Sequence, residues 1–326
     1  MKKLVKIKIV FLACIMLVVF AAGAVLYDSP TNVNIGINDW TGYYPLIVAE
    51  HEKLFEKYGL NAKVQRFNSA QEVLQSMRDG KIHGAGLTLD EAISLNQSGF
   101  PVQVVLVIDF SSGGDMIIGQ PSITDISMIK GKKIGYEGTL VGEFLLHRAL
   151  VNNHIKKKAV NLVQVSAKDW LSSFRGGDLD ALVCFNPAAT TLIEQDGANL
   201  LFSSKNIPYE IIDVLVFDKK FYDKNKSQIS LVAKAWFDAL GVDPDVAATI
   251  VAKEKGVSAT EYKKSLTQIV VPDLAKNKML FDEKYNKNIY KYSQVIIDFM
   301  MRKGLISSRV NTDQFFTREI LDNLSE

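Results

Sequence analysis

Seven carboxylates, Asp39, Asp90, Glu91, Asp109, Asp115, Glu137 and Glu143, fall in or beside stretches that read as strand-to-helix loops, with no Lys, Arg or His among them. Around the first stand Trp40, Tyr43 and Tyr44, with Asn38 and Thr41 interleaved. Carboxylates attract amines, polar side chains read an edge, and aromatic faces stack on flat solutes. The combination suits recognition of a neutral or amino-bearing flat molecule. The same residues have a plainer use, because acids at helix starts act as caps facing water and aromatics close the end of a core. Both uses stay open on residue type alone. Helix N-termini at Tyr43, Thr139 and Asn186 are places where an anion is held instead, against the repulsion of unpaired acids nearby.

Catalysis finds less support. The chain has no Gly-x-Ser-x-Gly elbow and no phosphate-cradling glycine loop. His51, His83, His147 and His154 lack metal-ligand spacing, and Cys14 and Cys184 are the only cysteines. No catalytic residue, metal or cofactor is expected.

Positioning such residues takes a sizeable scaffold. With 326 residues, 48% hydrophobic and 23% charged, the chain is globular and long enough for one to three domains. Its formal net charge is +2, but Lys2, Lys3, Lys6 and Lys8 precede any acid, and removing those four charges leaves −2 for the rest. A body so close to neutral offers no general case for nucleic-acid binding. The uncharged run Ile9 to Leu26 follows those lysines and ends in Ala22-Gly23-Ala24. It reads as a signal peptide, or, at this length, as a retained membrane anchor.

Val33, Ile35 and Ile37 alternate as a strand into the loop Asn38 to Tyr44, and Pro45 suits the first turn of a helix that runs to Tyr58. A strand Ala62 to Phe67 follows. Ser69 to Glu72 and Thr88 to Glu91 are capping boxes, around a strand at Ile82 to Leu87. Val102 to Ile108 is apolar enough to be buried on both faces, and Asp109 to Asp115 reads as a crossing between domains. Lys132 to Tyr136 is a strand, and Leu140 to Val151 a helix.

An internal repeat organises these pieces. Ser69 to Gly84 lies over Ser166 to Ala181 at an offset of 97, sharing Ser, Ala, Leu, Ser, Arg and Gly, and the same offset carries Ile37 onto Ile134. Two lobes of like plan follow, each with two strand-to-helix loops: 38–44 and 88–91 in one, 137–142 and 185–188 in the other. Chance likeness between capped helices is the competing explanation. Asp213 to Phe217 reads as a strand leading back to the first lobe. A mainly helical part comes after it, with the charged stretch Lys276 to Lys291 as a solvated helix face.

Asp39-Trp40-Thr41-Gly42-Tyr43, Thr88-Leu89-Asp90-Glu91-Ala92, Asp109-Phe110-Ser111-Ser112-Gly113-Gly114-Asp115 and Asp180 to Pro187 resemble motifs of ABC-transporter solute-binding proteins in the nitrate, sulfonate, taurine and thiamine-precursor group. The likeness spans about residues 32 to 220. It implies an α/β type II periplasmic binding fold, with two α/β lobes joined by hinge strands and a helical C-terminal part. Residues 32–110 with 214–326 would form the first lobe, and 111–213 the second. A small-molecule ligand would then sit between the lobes and be presented to an ABC permease by a monomeric, periplasmic protein. An uncleaved anchor would instead make a tethered sensor acting on a histidine kinase or cyclase. The ligand set implied is Asn38, Asp39, Trp40, Thr41, Gly42, Tyr43, Thr88, Asp90, Asp109, Ser111, Ser112, Asp115, Tyr136, Glu137, Thr139, Phe185 and Asn186. Fungal thiamine-precursor relatives are enzymes with a cysteine-rich motif, and nothing here matches it.

Overall fold

A computed structural model describes residues 32–325, so the leader or anchor expected at residues 1–26, and Cys14 with it, lies outside the described residues. Two mixed sheets carry the rest. The first has the order β11-β4-β10-β3-β1-β2, built from β1 (Val33–Ile37), β2 (Ala62–Arg66), β3 (Gly84–Thr88), β4 (Val102–Ser111), β10 (Ile212–Asp218) and β11 (Ile269–Val270). The second has the order β7-β6-β8-β5-β9, from β5 (Asp115–Gly119), β6 (Lys133–Tyr136), β7 (Asn161–Gln164), β8 (Ala181–Phe185) and β9 (Asn199–Ser203).

The repeat is visible in the pairing. β1 lies parallel between β2 and β3, with Ile35 opposite Gly84, and β6 lies parallel between β7 and β8, with Ile134 opposite Ala181. β3 and β8 therefore keep the offset of 97, whereas Ile134 occupies the place of Ile35 and not that of Ile37. The two lobes differ by two residues in the stretch between these strands. In each sheet the third partner is antiparallel: β10 on β3, and β5 on β8.

Chain crosses between the sheets twice. β4, buried at all ten positions, runs three residues beyond Ile108 and hands over to β5 through Ser112–Gly114. β9 returns to β10 through residues 204–211. A serine pair ties the crossings together: Ser111 Oγ and Ser204 Oγ are 2.7 Å apart, and Ser204 Oγ also accepts the Gly113 N–H at 2.7 Å.

Local readings met three corrections. The helix from Pro45 breaks at Lys53, in the left-handed region at φ 55°, into Tyr44–His51 and Leu54–Lys57. Ser69 caps its helix, but the Glu72 carboxylate accepts from Asn68 N–H and not from that of Ser69. The stretch Lys276 to Lys291 is no solvated helix. It holds the end of a short helix, Leu274–Leu280, and buried Phe281, while buried Asn277 accepts from Val107 N–H at 2.8 Å and donates to Val107 C=O at 3.1 Å. Its amide acts as an extra strand partner for β4, a role that a polar residue among lysines does not advertise.

Candidate functional site

Four loops leave the carboxyl ends of parallel strands β1, β3, β6 and β8, two from each sheet, and they converge on one cavity of about 390 Å³. Loops at strand carboxyl ends are where open α/β sheets bind ligands. Of the residues expected there, Asn38, Asp39, Trp40, Tyr43, Thr88, Asp115, Glu137, Thr139, Phe185 and Asn186 line the cavity.

Trp40 stands in one wall. Its backbone N–H is held by Asn38 Oδ1 at 2.9 Å, and its indole N–H donates to Asp109 Oδ2 at 3.0 Å. Phe185 meets Trp40 edge to face at 5.9 Å, and meets Trp170 of the second sheet's layer in the same way at 5.1 Å. Glycine is required behind this wall, because a Cβ on Gly42 would sit 1.7 Å from Asp109 Oδ2. Tyr43 is fully buried, with its ring against Gly86 and its hydroxyl donating to Asp213 Oδ1 at 2.5 Å.

The floor is acidic. Glu91, Asp115 and Asp213 line it, and Asp90 and Asp109 lie buried behind. Burial drives every one of these carboxyls above its ordinary range: Asp90 and Asp115 to about 6, Glu91 and Asp109 to about 8, and Asp213 well upward. Neighbouring negative charge adds to the effect, Asp90 on Glu91, Asp115 on Asp109, and Asp109 on Asp213. One oxygen of each of Asp90, Asp109 and Asp115 is buried without a hydrogen-bond partner, as is the Thr88 hydroxyl. Glu91 reaches back to Thr88 N–H at 3.0 Å, so its capping role is real although it faces the cavity.

The other expected residues lie elsewhere. Gly42, Asp90 and Asp109 form the layer behind the wall and floor, Ser111 belongs to the crossing, and Ser112 donates its N–H to Gln268 C=O. Tyr136 does not line the cavity. Thr41 and Tyr44 line a second, smaller chamber, where Tyr44 packs edge to face on Tyr262, so Tyr44 is not a stacking face of the main cavity. Glu143 leaves the set altogether, held by Lys157 and by Lys303 from the C-terminal helices.

The absence of cations from the loops does not carry over to the folded site. Lys168, on the short turn that opens the Trp170–Arg175 helix, lines the cavity at its exposed rim, and Lys255 comes from the helical C-terminal part into the second chamber. Neither lies in the four loops 38–44, 88–91, 137–142 and 185–188. Asp213, Trp170 and Cys184 also went unforeseen. An acid inside the apolar strand Ile212–Asp218 was the available signal for Asp213, since such a strand has no solvent to offer a carboxylate. Trp170 takes the place of Val73 in the repeat, a departure in size that marked it. For Cys184 the signal was its place beside Phe185 in the stretch Asp180 to Pro187; burial pushes its thiol up.

Among the described residues no group of three or more His, Cys, Asp or Glu is arranged to hold a metal. The arrangement offers stacking faces, hydrogen-bonding edges and a floor that favours positive charge.

The model of the NMT1-like family matches residues 28–253. A curated binding protein of Brucella abortus is 26% identical over 271 residues, covering 79% of this chain and 83% of its own length. Among solved structures, the ligand-binding component of an ABC-type import system from Staphylococcus aureus, with zinc bound, superposes with a TM-score of 0.76 at 16% identity, covering 90% of this chain and 99% of that one. The alkanesulfonate-binding protein of Xanthomonas axonopodis bound to MOPS gives 0.74 at 16%, covering 88% and 98%. At those identities the likeness is one of fold: two α/β lobes around a cleft, with a helical C-terminal part.

Proposed function

We propose that this chain, which belongs to the NMT1-like family, is an extracytoplasmic solute-binding protein that captures a small, flat, amino-bearing molecule between its lobes and delivers it to an ABC permease. The observation that carries the choice of solute is the floor of the cavity. Three carboxyls, Glu91, Asp115 and Asp213, line it with two more buried behind, no cation among them and one floor oxygen, on Asp115, unpartnered, and ionising them there without a partner is costly. A protonated amine or amidine offsets that cost and an oxyanion adds to it. Trp40, Phe185 and Trp170 supply walls for a flat body, and Asn38, Thr88, Thr139 and Asn186 supply its polar edges. Residues 32–110 with 214–326 act as one jaw and 111–213 as the other, closing about the crossings at Ser111 and Ser204. Closure requires only that the solute contact both jaws better when they are shut.

A binding role without turnover is supported by the residues on offer. The cavity lining holds no His, and its one thiol, Cys184, is kept protonated by burial. Of the lining carboxyls that titrate near neutral, Glu91 is engaged as a helix cap on Thr88 N–H, and no histidine stands beside a hydroxyl or thiol to activate it.

Native mass spectrometry of residues 27–326, purified without dialysis against candidate ligands, tests the reading. Mild unfolding is expected to release an amine-bearing molecule, and calorimetry is expected to show Asp115→Asn weakening its binding at least tenfold. Release of a sulfonate, or tight binding of nitrate or an alkanesulfonate, overturns the choice of solute in favour of an oxyanion.

A further inference from the structure

The second chamber adjoins the first. It has a volume of about 100 Å³, several times the roughly 10–15 Å³ that admits one water, and Asp39, Asn186, Pro187 and Thr191 line both spaces. The two differ in what is buried there. Where the large cavity ends in acids, the small one holds Lys255, whose side chain is only 13% exposed. Its Nζ donates to Asp39 C=O at 2.5 Å and lies 4.4 Å from the centre of the Tyr44 ring.

A buried ammonium needs an anion, and the one within reach among the described residues is poorly committed. The Asp39 carboxylate stands 3.5 Å from Nζ and is 75% exposed, so it can swing into water at little cost. Two further acids line the chamber but are engaged: Glu194 pairs with Lys264, and Glu261 accepts from Ser258 N–H and Oγ in its capping box. An ammonium carries three donors, and the bonds to Asp39 leave room for an incoming carboxylate.

We propose that this chamber is a subsite for the carboxylate end of an amphoteric solute whose amine rests on the acid floor. The carboxylate takes the place of the Asp39 side chain on Lys255, and Asn186 and Thr191, which line both spaces, flank the stretch of solute between its two ends. The inference rests on the amine-binding reading above and narrows its ligand to molecules carrying both charges. Burial, which lowers the Lys255 pKa against the pull of Asp39, makes the ammonium the more responsive to a new anion.

Acetate serves as the probe for the subsite and methylammonium for the floor, each titrated into residues 27–326 at pH 7 with lysine Cε and Asp/Glu carboxyl carbons labelled with ¹³C. Acetate is expected to shift one lysine signal saturably, the one missing from Lys255→Met. Asp39→Asn is expected to tighten acetate about twofold to fivefold, the range set by losing one exposed ion pair. Because Asp39 is exposed, that variant carries the test even where Lys255→Met does not fold. A Lys255 signal indifferent to acetate, or acetate binding unchanged in both variants, overturns the subsite. Methylammonium bound at the floor without acetate at Lys255 refutes the subsite and leaves the amine reading standing. Acetate bound without methylammonium refutes the amine reading, and the amphoteric ligand with it.

Discussion

Trp40 and Asp109 show how a single partner decides what a residue is for. Both belong to loops that suggested ligand contact, yet the indole N–H and Asp109 Oδ2 satisfy each other at 3.0 Å, and Asp109 is completely buried. Trp40 therefore gives the cavity a wall whose orientation is locked, and Asp109 is the lock. Trp40→Phe leaves both Asp109 oxygens without a partner, since Oδ1 already has none. The expected loss is about 1–3 kcal/mol of unfolding free energy, read from urea denaturation. Asp109→Asn keeps an acceptor for the indole and is expected to cost less, so the ordering of the two variants checks the assignment.

At the scale of elements, the site is set by two strands that leave one sheet and enter the other. Ser204, which is completely buried, holds Ser111 Oγ and the Gly113 N–H in the same place, and Ser111 Oγ in turn accepts Asp115 N–H at 3.2 Å. The crossing thus positions Asp115 directly. Ser204→Ala removes the acceptor of Gly113 N–H and the hydroxyl partner of Ser111, with an expected cost of about 1–3 kcal/mol visible as a lower urea midpoint at unchanged slope. A wider spread of distances between the lobes by small-angle scattering is expected with it, because the pair joins the two crossings. An unchanged midpoint would show that the serines merely fill space.

For the molecule as a whole, the acid floor makes stability depend on pH in an unusual direction. Glu91 and Asp109 titrate near 8 in the folded protein and Asp90 and Asp115 near 6, against about 4 when unfolded. Between those values the folded state holds protons that the unfolded state has released, so stability falls as pH rises. It is greatest, as regards these groups, below about pH 4, and is lost progressively up to about pH 8. Other carboxylates, such as Asp79 beside Lys81, are lowered and pull the opposite way at acid pH. The ligand-free protein is therefore expected to melt at a lower temperature at pH 8.5 than at pH 6. A bound amine should shrink the difference by replacing the protons. A melting temperature that rises across this interval would show that the carboxyls are already ionised and otherwise compensated.

Much of the plan was legible because it is written in local patterns. Alternation marked β1, an unbroken apolar run marked β4, and the likeness of residues 69–84 to 166–181 disclosed two lobes, since a helix start and the strand after it recur at fixed spacing wherever the same unit is built twice. The loops carrying Asn38 to Tyr43, Thr88, Glu137, Thr139, Phe185 and Asn186 followed from that plan. What burial and partnership decide was not legible. Only the folded chain puts Asp213 under Tyr43, turns Asp109 away from the cavity, sends Tyr44 into a separate chamber, and brings Lys255 from the C-terminal helices to Asp39. A carboxylate in a loop reads the same whether water, a hydroxyl or nothing faces it, and the charge balance of the cleft is a sum over residues far apart in sequence. The physical cause is one of range: backbone propensity and capping act within a few residues, whereas desolvation and charge pairing depend on neighbours that only tertiary packing supplies.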